Sequence, residues 1–267
     1  MRWEAGVFPV AFAGGRLDNG SMTPRRFLVD DLSPAVIRVV GEQARHALRS
    51  LRLTEGAEVH LFDGRGGEAV ARITRQGTGE FEATVTDRME TPKPIGPSLV
   101  LAVAMPKGPR GDWLVEKCAE LGVSRLIPLS CARSQVEPGE GKLDRWRRKA
   151  VEAAKQSRQS SAMMVEPTTR LAKLLESHRR PTRVYYGAPY QSARSFAQEL
   201  QAGDGSADAT SPLLVIIGPE GGLSDEESGE LEAAGAKGVT LSPTILRIET
   251  AAVAFAAVWA CWVSTRS

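Results

Sequence analysis

Between residues 26 and 87 the apolar residues come in short runs that turn residues separate. The apolar runs cover 27–29, 36–40, 59–62, 69–73 and 81–85. Segments rich in glycine and polar residues, such as 63–67 and 76–79, lie between them and are typical of hairpin turns. One longer segment, 41–51, has the spacing of a helix. This pattern predicts a small β-barrel or β-sandwich with one helix.

After a proline-rich segment the pattern changes to alternating strands and helices. Residues 90–97 contain three prolines and predict a stiff linker. We expect strands at 99–104, 125–129, 183–186, 213–217 and 239–241, and helices at 112–121, 143–157, 192–201, 225–234 and 248–263. This alternation indicates a mostly parallel sheet with helices on both faces. We therefore divide the chain into an N-terminal extension that we expect to be flexible (1–24), a barrel domain (25–90), a linker (91–97) and an α/β domain (98–267).

The composition is that of an ordinary globular protein. The 267 residues carry a net charge of +2, so any signal for nucleic acid has to be local. Cys118, Cys131 and Cys261 are too far apart for a zinc ribbon and suit a reducing compartment, so we expect a cytoplasmic protein. The uncharged run 250–265 is shorter than the roughly 20 residues that cross a bilayer, which favours a buried or interface helix and no membrane partner. Pro9 interrupts the weakly apolar N-terminus and argues against a secretory signal.

The segment 217–227 joins an apolar strand to a helix through a loop with three glycines. Ser224 and Glu227 have the spacing of a capping box at the helix start. The loop lacks the Gly-Lys-Ser/Thr of a P-loop and the G-x-G-x-x-G of a dinucleotide site. Three acidic residues at the helix start would repel a phosphate, which favours a neutral or cationic ligand held by backbone groups. An ordinary tight turn would have the same sequence.

A second irregular turn, 241–247, precedes the last helix. Pro243 prevents a helix there, and Ile245 and Leu246 need an apolar contact. Ligands of open α/β sheets bind beyond the carboxyl ends of strands, so this turn and residues 217–227 can line one pocket. The alternative is that they are two unrelated turns. Arg247 and Glu249 open an otherwise apolar helix; an ion pair that closes its N-terminus is the simpler interpretation, and a functional arginine is the alternative.

Basic residues cluster in three places. Residues 142–158 carry seven basic and two acidic residues around an apolar stripe, which predicts an amphipathic helix whose basic face is either solvated or binds RNA. Lys107 and Arg110 follow a strand and can hold a phosphate or simply lie on the surface. The barrel adds a further set, consisting of Arg25, Arg26, Arg45, Arg49 and Arg52. The three histidines, His46, His60 and His178, are scattered, and neither a catalytic triad nor a metal site is predicted.

Taken together, these segments resemble the RsmE family of SPOUT RNA methyltransferases. Residues 217–227 and 241–252 resemble the paired cofactor-loop motifs of that family. Five further segments occur upstream in the family's order: Pro106-Lys-Gly, 116–122, 128–129, Arg133-Ser134 and 152–157. The barrel segment 26–64 is similar to its PUA-like domain. The resemblance covers about residues 25–263.

The resemblance implies a fold and an activity. The expected fold is an α/β SPOUT domain with a parallel sheet and a C-terminal deep trefoil knot, preceded by a PUA-like β-barrel. The expected reaction is methylation of N3 of a uridine in the decoding region of 16S rRNA with S-adenosyl-L-methionine, carried out by a homodimer with the helix 250–263 in its core. The cofactor would contact Gly187, Ile217, Gly218, Pro219, Glu220, Gly221, Gly222, Leu241, Ser242, Pro243, Ile245, Leu246 and Thr250.

The resemblance also suggests roles for the charged residues. Deprotonation of uracil N3 calls for positive charge near O2 and O4. Arg247 is the first candidate for that charge, and Arg133 is the second. Glu249 is the candidate for positioning Arg247. No metal is expected, because a sulfonium leaving group departs without one. The expected RNA-binding residues are Arg25, Arg26, Arg45, Arg49, Arg52, Lys107, Arg110, Arg148 and Arg158.

The chain departs from the family at two places, and two other functions remain open. Arg158 and Gln159 stand where the family usually has Gly and Arg, and Thr244 stands where an arginine is common. A SPOUT enzyme acting on tRNA or on a ribose 2′-hydroxyl is one alternative. An RNA-binding module without cofactor is the other.

Overall fold

The computed structural model describes residues 25–89, 96–178, 183–188, 193–202 and 211–266. The predicted N-terminal extension lies outside the described residues, as does most of the predicted linker. Two sheets organise the described parts of the chain, one in each predicted domain. None of the helices described is long and apolar enough to cross a membrane.

The N-terminal domain is a five-stranded sheet with one helix. Its elements are β1 (Arg25–Leu28), β2 (Val36–Val39), α1 (Gly41–Arg49), β3 (Glu58–Phe62), β4 (Glu68–Gly77) and β5 (Glu80–Met89), in the sheet order β1-β3-β4-β5-β2. The pairs are antiparallel except β1 with β3. Register shifts between β4 and β5 increase the local twist, and Phe27 and Phe81 meet edge to face with ring centroids 5.3 Å apart inside the domain. The predicted hairpins and helix are confirmed.

The C-terminal domain is an eight-stranded, entirely parallel main sheet between two layers of helices. Its first half contains β6 (Leu99–Val103), α2 (Pro109–Glu120), β7 (Arg125–Ser130), α3 (Glu140–Gln156), β8 (Met164–Val165), β9 (Thr169–Arg170) and α4 (Leu171–Ser177). The second half contains β10 (Arg183–Gly187), β11 (Arg194–Ser195), α5 (Phe196–Ala202), β12 (Leu213–Ile217), α6 (Asp225–Ala233), β13 (Lys237–Thr240) and α7 (Ile248–Ser264). The order along the sheet is β11-β13-β10-β12-β6-β7-β8, and β9 pairs with β7.

The central strands are apolar at every position because helices cover both faces of the sheet. In β12, Leu213 and Val215 face a core shared with α2, α3, α5 and α7, whereas Leu214 and Ile216 face a second core under α4 and α6. Helix α7 packs against α2 and α5. The threading that a trefoil knot requires stays a prediction.

One predicted helix of this domain starts later than expected, and three short elements were not predicted. The helix predicted at 192–201 begins only at Phe196, because Arg194 and Ser195 are extended and pair with β13. The short strands β8 and β9 and the helix α4 were missed. Strands of two residues have no periodicity that a sequence could display.

The two domains meet at the residues that follow α3. The guanidinium of Arg26 donates to the carbonyls of Arg158 (3.1 Å) and Gln159 (2.9 Å) and also pairs with the Glu68 carboxylate. Gly66 N donates to Ser160 O at 3.2 Å. We call this contact the domain junction. The RNA-binding role predicted for Arg26 is wrong, because its side chain is only 12% exposed and bonds inside the protein.

The backbone conformation at the domain junction accounts for the glycine that the family usually has at position 158. Arg158 has a φ of 57°, which an L side chain rarely adopts and which glycine adopts without strain. The neighbouring Gln159 amide donates to the carbonyls of Ala119 and Glu120, both at 2.9 Å. Gln159 therefore ties the end of α3 to the end of α2.

Candidate cofactor and substrate site

Three strands end side by side at one edge of the parallel sheet. Strand β10 lies between β12 and β13: Tyr186 pairs with Ile216, and Gly187 pairs with Val239. The carboxyl ends of β10, β12 and β13 are therefore neighbours. Because neighbouring strands are about 4.8 Å apart, the Gly-rich loop and the last loop leave the sheet about 10 Å apart, with the end of β10 between them. The predicted shared pocket at the strand ends is geometrically possible.

The Gly-rich loop 218–223 is held in a defined shape. The predicted capping box is present: Glu227 N donates to Ser224 Oγ at 3.2 Å, and Ser224 N donates to Glu227 Oε2 at 2.8 Å. The other oxygen of this buried carboxylate accepts from Ala132 N at 2.8 Å, which ties α6 to the loop after β7. Gly222 has a φ of 74° and closes a turn on Pro219 O at 2.8 Å.

Arg133 contacts this loop from outside. Its Nη1 donates to Gly221 O at 2.9 Å and to Leu223 O at 3.2 Å. A side chain at Gly221 would place its Cβ 3.4 Å from that of Arg133, so the loop lies directly on the arginine. Arg133 is therefore a positioning residue for the Gly-rich loop. The direct catalytic role predicted for it stays a prediction.

The last loop, 241–246, presents backbone and small polar groups. Ser242 Oγ and Thr244 Oγ1 are 2.8 Å apart, and Thr244 N donates to Ser242 Oγ at 3.2 Å. Thr244, which replaces the family's common arginine, thus stabilises the local turn. Leu241 packs against the core, but Ile245 is fully exposed. An apolar side chain without protein contact in this loop is available to a ligand or to a second chain.

The predicted pair of Arg247 with Glu249 is wrong. Arg247 is the extended N-cap residue of α7; its side chain is exposed and has no ion pair within the described ranges. The buried Glu249 instead places Oε1 3.6 Å from Arg110 Nη1. Residues two apart at a helix start do not face each other, which explains the separation.

Arg110 joins both cofactor-loop motifs. Besides Glu249, its Nη1 lies 3.4 Å from Oε1 of Glu220 in the Gly-rich loop. Oε2 of Glu249 is buried without a hydrogen-bond partner in the described structure. Arg110 was predicted to contact RNA, but these contacts make it a link between the Gly-rich loop and α7. No local sequence pattern signals this role, because it depends on the strand order that sets β6 beside β12.

A pocket opens beside the Gly-rich loop on the β6 side. Residues 104–107, 134–135, 219–220 and Ile248 line it, so it takes walls from the loops after β6, β7 and β12 and from the start of α7. Its empty volume is about 230 Å³, including space open to solvent. We call it the β6 pocket.

The basic residues divide into paired and unpaired groups. Arg25 donates to Leu51 O at 2.9 Å, and on α3 Arg145 pairs with Asp112 and Arg147 with Glu140 and Asp144. The remaining predicted RNA-binding arginines are exposed and have no ion pair in the part of the chain that the structure describes; they are Arg45, Arg49, Arg52, Arg148 and Arg158. The structure thus leaves a free arginine group on α1 and at its end, and another along and after α3.

The two buried thiols are poor candidates for nucleophilic work. Burial raises the pKa of the Cys118 and Cys131 thiols to about 12, with a contribution from Glu227 at Cys131. Burial, with help from Arg26, lowers the pKa of His60. Within the described ranges, no group of three or more His, Cys, Asp or Glu side chains can hold a metal ion.

Comparison with known proteins agrees with this architecture. Residues 92–260 match the RNA methyltransferase domain family, and residues 41–86 match the RNA methyltransferase PUA domain family. The chain belongs to the RNA methyltransferase family. The first match covers most of the α/β domain, and the second lies within the barrel. The proposed boundaries between the domains stay predictions.

Individual members of the family lie close to this chain. The ribosomal RNA small subunit methyltransferase E of Mycobacterium tuberculosis is 32% identical over 237 residues, which cover 86% of this chain and 89% of that protein. The enzyme of the same name from Bacillus subtilis is 27% identical over 217 residues, covering 80% and 85%. A crystal structure of the Neisseria gonorrhoeae enzyme bound to S-adenosyl methionine gives a TM-score of 0.76 at 26% identity, covering 88% and 95%. The resemblance to the RsmE family is confirmed.

Proposed function

We propose that this chain methylates N3 of a uridine in the decoding region of 16S rRNA, with S-adenosyl-L-methionine as the methyl donor. Its relatives are named for the ribosomal small subunit, and the Neisseria structure contains this cofactor. The observation that carries the proposal is the position of the Gly-rich loop and the last loop at one edge of the sheet, on either side of the end of β10. We infer that backbone groups of both loops contact one ligand there.

The residues at this edge fit the cofactor. Asp225, Glu226 and Glu227 at the start of α6 suit a sulfonium cation better than a phosphate. A Cβ at Gly218 would lie 3.1 Å from Leu223, so a side chain there would require Leu223 to shift. When bound, S-adenosyl-L-methionine supplies an electrophilic methyl group, whose carbon–sulfur electron pair returns to sulfur as the nitrogen–carbon bond forms. We infer that the thirteen residues predicted from the motifs hold it, largely through backbone groups.

The protein has to favour the deprotonated imide of uracil. The N3–H proton leaves to solvent, and negative charge spreads to O2 and O4, where a fixed cation stabilises it. Arg247 is exposed, has no ion pair among the described residues, and follows directly on the last loop. We therefore retain Arg247 as a catalytic candidate. Glu249 instead holds Arg110, and so orients the Gly-rich loop.

The experiment that tests the function uses small subunits from a strain lacking this protein. Purified enzyme with S-adenosyl-L-methionine should create a primer-extension stop at one uridine, because N3 methylation blocks Watson–Crick pairing. A stop in tRNA, or none, would overturn the proposal. Arg247→Ala should lower turnover about 100-fold while calorimetry shows unchanged cofactor binding. Arg170→Ala is the matched control, since Arg170 is also an exposed N-cap arginine, on α4.

We propose that RNA lies along the free arginines of the barrel. Arg45 and Arg49 are four residues apart on α1 and share a face, and Arg52 follows with a φ of 50°. Each arginine that neutralises a phosphate adds about 0.9 to the slope of log binding constant against log salt on a duplex, and about 0.7 on a single strand. Arg45→Gln with Arg49→Gln should reduce that slope by roughly 1.5. An unchanged slope would exclude this face.

We also propose that the protein is a homodimer whose core contains α7. This helix carries almost only apolar side chains, and Val253, Val258, Trp259 and Trp262 are only partly buried in the single chain. Apolar area of this kind is normally covered by another surface. Sedimentation velocity should give a dimer, and a Val258→Glu variant should sediment as a monomer. A wild-type monomer with full turnover would contradict the proposal.

A further inference from the structure

The β6 pocket has two unpaired polar groups, one from each of two neighbouring loops. Lys107 follows β6 and Gln135 follows β7, and both side chains are exposed. Neither has a hydrogen bond or an ion pair with any residue that the structure describes. Another basic group nearby, Arg110, is already engaged by Glu220 and Glu249. Lys107 is therefore a free ammonium in this pocket, and Gln135 is a free amide.

Apolar surfaces complete the walls of this pocket. Met105 and Pro106 lie on the β6 side, Pro219 on the side of the Gly-rich loop, and Ile248 at the start of α7. Flat rings pack well between such side chains, and a few placed polar groups then fix the orientation of the ring. The pocket opens to solvent, as an RNA base attached to its strand requires.

The β6 pocket adjoins the proposed cofactor loop. Pro219 and Glu220 belong both to the pocket wall and to the Gly-rich loop. Ile248 belongs to α7 directly after Arg247, so the pocket also adjoins the last loop. A ligand in the β6 pocket is thus next to both walls of the proposed cofactor site, and direct methyl transfer requires this proximity.

We propose that the β6 pocket holds the flipped target uracil, with the Lys107 ammonium and the Gln135 amide each donating to one of its ring oxygens. This inference rests on the proposed function. Uracil offers two carbonyl acceptors that flank N3–H, and the pocket offers two donors, one from the loop after β6 and one from the loop after β7. When the N3 proton passes to solvent, the ammonium stabilises the charge that develops on the oxygen it contacts, and the N3 lone pair then forms the new bond to carbon.

The test compares Lys107→Met with Lys173→Met, a substitution of an exposed lysine on α4 that lines no part of the pocket. Tritium transfer from S-adenosyl-L-methionine to small subunits gives kcat and KM, and calorimetry gives the cofactor Kd. Lys107→Met should lower kcat about 100-fold and leave the cofactor Kd within about twofold. Gln135→Leu should raise KM for the subunits about tenfold. Lys173→Met should match the wild type.

A second substrate separates catalysis from folding or binding defects. Fluorine at C5 of uracil withdraws electrons and lowers the pKa of N3–H, so less stabilisation of the imide anion is needed. On subunits assembled from 5-fluorouridine-containing 16S rRNA, Lys107→Met should recover roughly tenfold relative to the wild type. An equal deficit on both substrates would overturn the role of Lys107.

Two further outcomes would overturn the assignment of the pocket. One is full turnover by Lys107→Met and Gln135→Leu on subunits that the wild type methylates at uridine N3. The other is loss of cofactor binding in these variants, which would make the pocket part of the cofactor site. If the wild type itself leaves uridine N3 unmethylated, the proposed function fails first, and the base pocket fails with it.

Discussion

Removal of the Arg26 guanidinium should destabilise the protein far more than removal of a comparable surface arginine. In the domain junction this group bonds two carbonyls of the C-terminal domain and the Glu68 carboxylate of its own domain. Arg26→Met keeps the apolar stem beside Phe62, over whose ring the guanidinium lies at 5.0 Å. The substitution therefore isolates the loss of charge and hydrogen bonds.

The expected size follows from burial. The Arg26 and Glu68 side chains are 12% and 18% exposed, so Arg26→Met leaves a largely buried carboxylate without its cation. Breaking such a pair costs about 3–5 kcal/mol. The buried Nε of Arg26 has no partner among the described residues, so the native arrangement is already imperfect and we expect about 3 kcal/mol.

Urea unfolding followed by tryptophan fluorescence measures this difference, since Trp146 is fully buried in the C-terminal domain. The control is Arg38→Met: Arg38 pairs with Glu80 in the same sheet but is 61% exposed, and its loss should cost at most about 1 kcal/mol. The double variant Arg26→Met with Glu68→Leu should recover much of the loss, because no buried charge remains. Equal effects at positions 26 and 38, or no recovery in the double variant, would refute the reasoning.

Three further predictions concern other parts of the protein. Arg158→Gly should raise the free energy of unfolding by about 0.5–1 kcal/mol because it removes left-handed strain. Arg148→Gly, at an exposed position inside α3, should lower it by about 1 kcal/mol, and the same sign in both variants would contradict the account. Arg133→Met should weaken cofactor binding about tenfold by calorimetry, because the carbonyls of the Gly-rich loop lose their donor, and unchanged affinity would exclude that role. The folded state keeps the Cys118 and Cys131 thiols protonated up to pH about 12, whereas the unfolded chain releases these protons above the ordinary thiol pKa of 9.0. The free energy of unfolding should therefore fall from pH 9 to 10.5, by up to about 1.4 kcal/mol per thiol and pH unit. The Cys118→Ala and Cys131→Ala double variant should lose stability less steeply in urea unfolding; an equal slope would contradict the buried-thiol account.

Sequence reasoning was most successful where a local rule determines the structure. The capping box of Ser224 and Glu227 and the buried strand before it follow from side-chain spacing alone. The meeting of the Gly-rich and last loops follows from the rule that carboxyl ends of parallel strands share an edge. That rule did not reveal that β10 inserts between their strands, because strand order is not encoded in local pattern.

The errors concern side chains whose partners are distant in sequence. Arg26 bonds residues 132 and 133 positions away, so no local pattern distinguishes it from the free arginines of α1. Arg110 and Glu249 are likewise brought together only by the packing of α2 against α7. The supposed pairing of Arg247 with Glu249 was avoidable, since helix geometry separates positions two apart.

The position of β13 beyond β10 also bears on when the protein can act during its synthesis. Strands β6, β10 and β12 are complete by residue 217, but residues 241–249, which supply the last loop and Glu249, come later in the sequence. A nascent chain that has not reached residue 241 therefore lacks both the last loop and the Glu249 carboxylate that holds Arg110. The Gly-rich loop alone does not make the proposed cofactor site, so the capacity to bind this ligand appears only once residue 249 has been made.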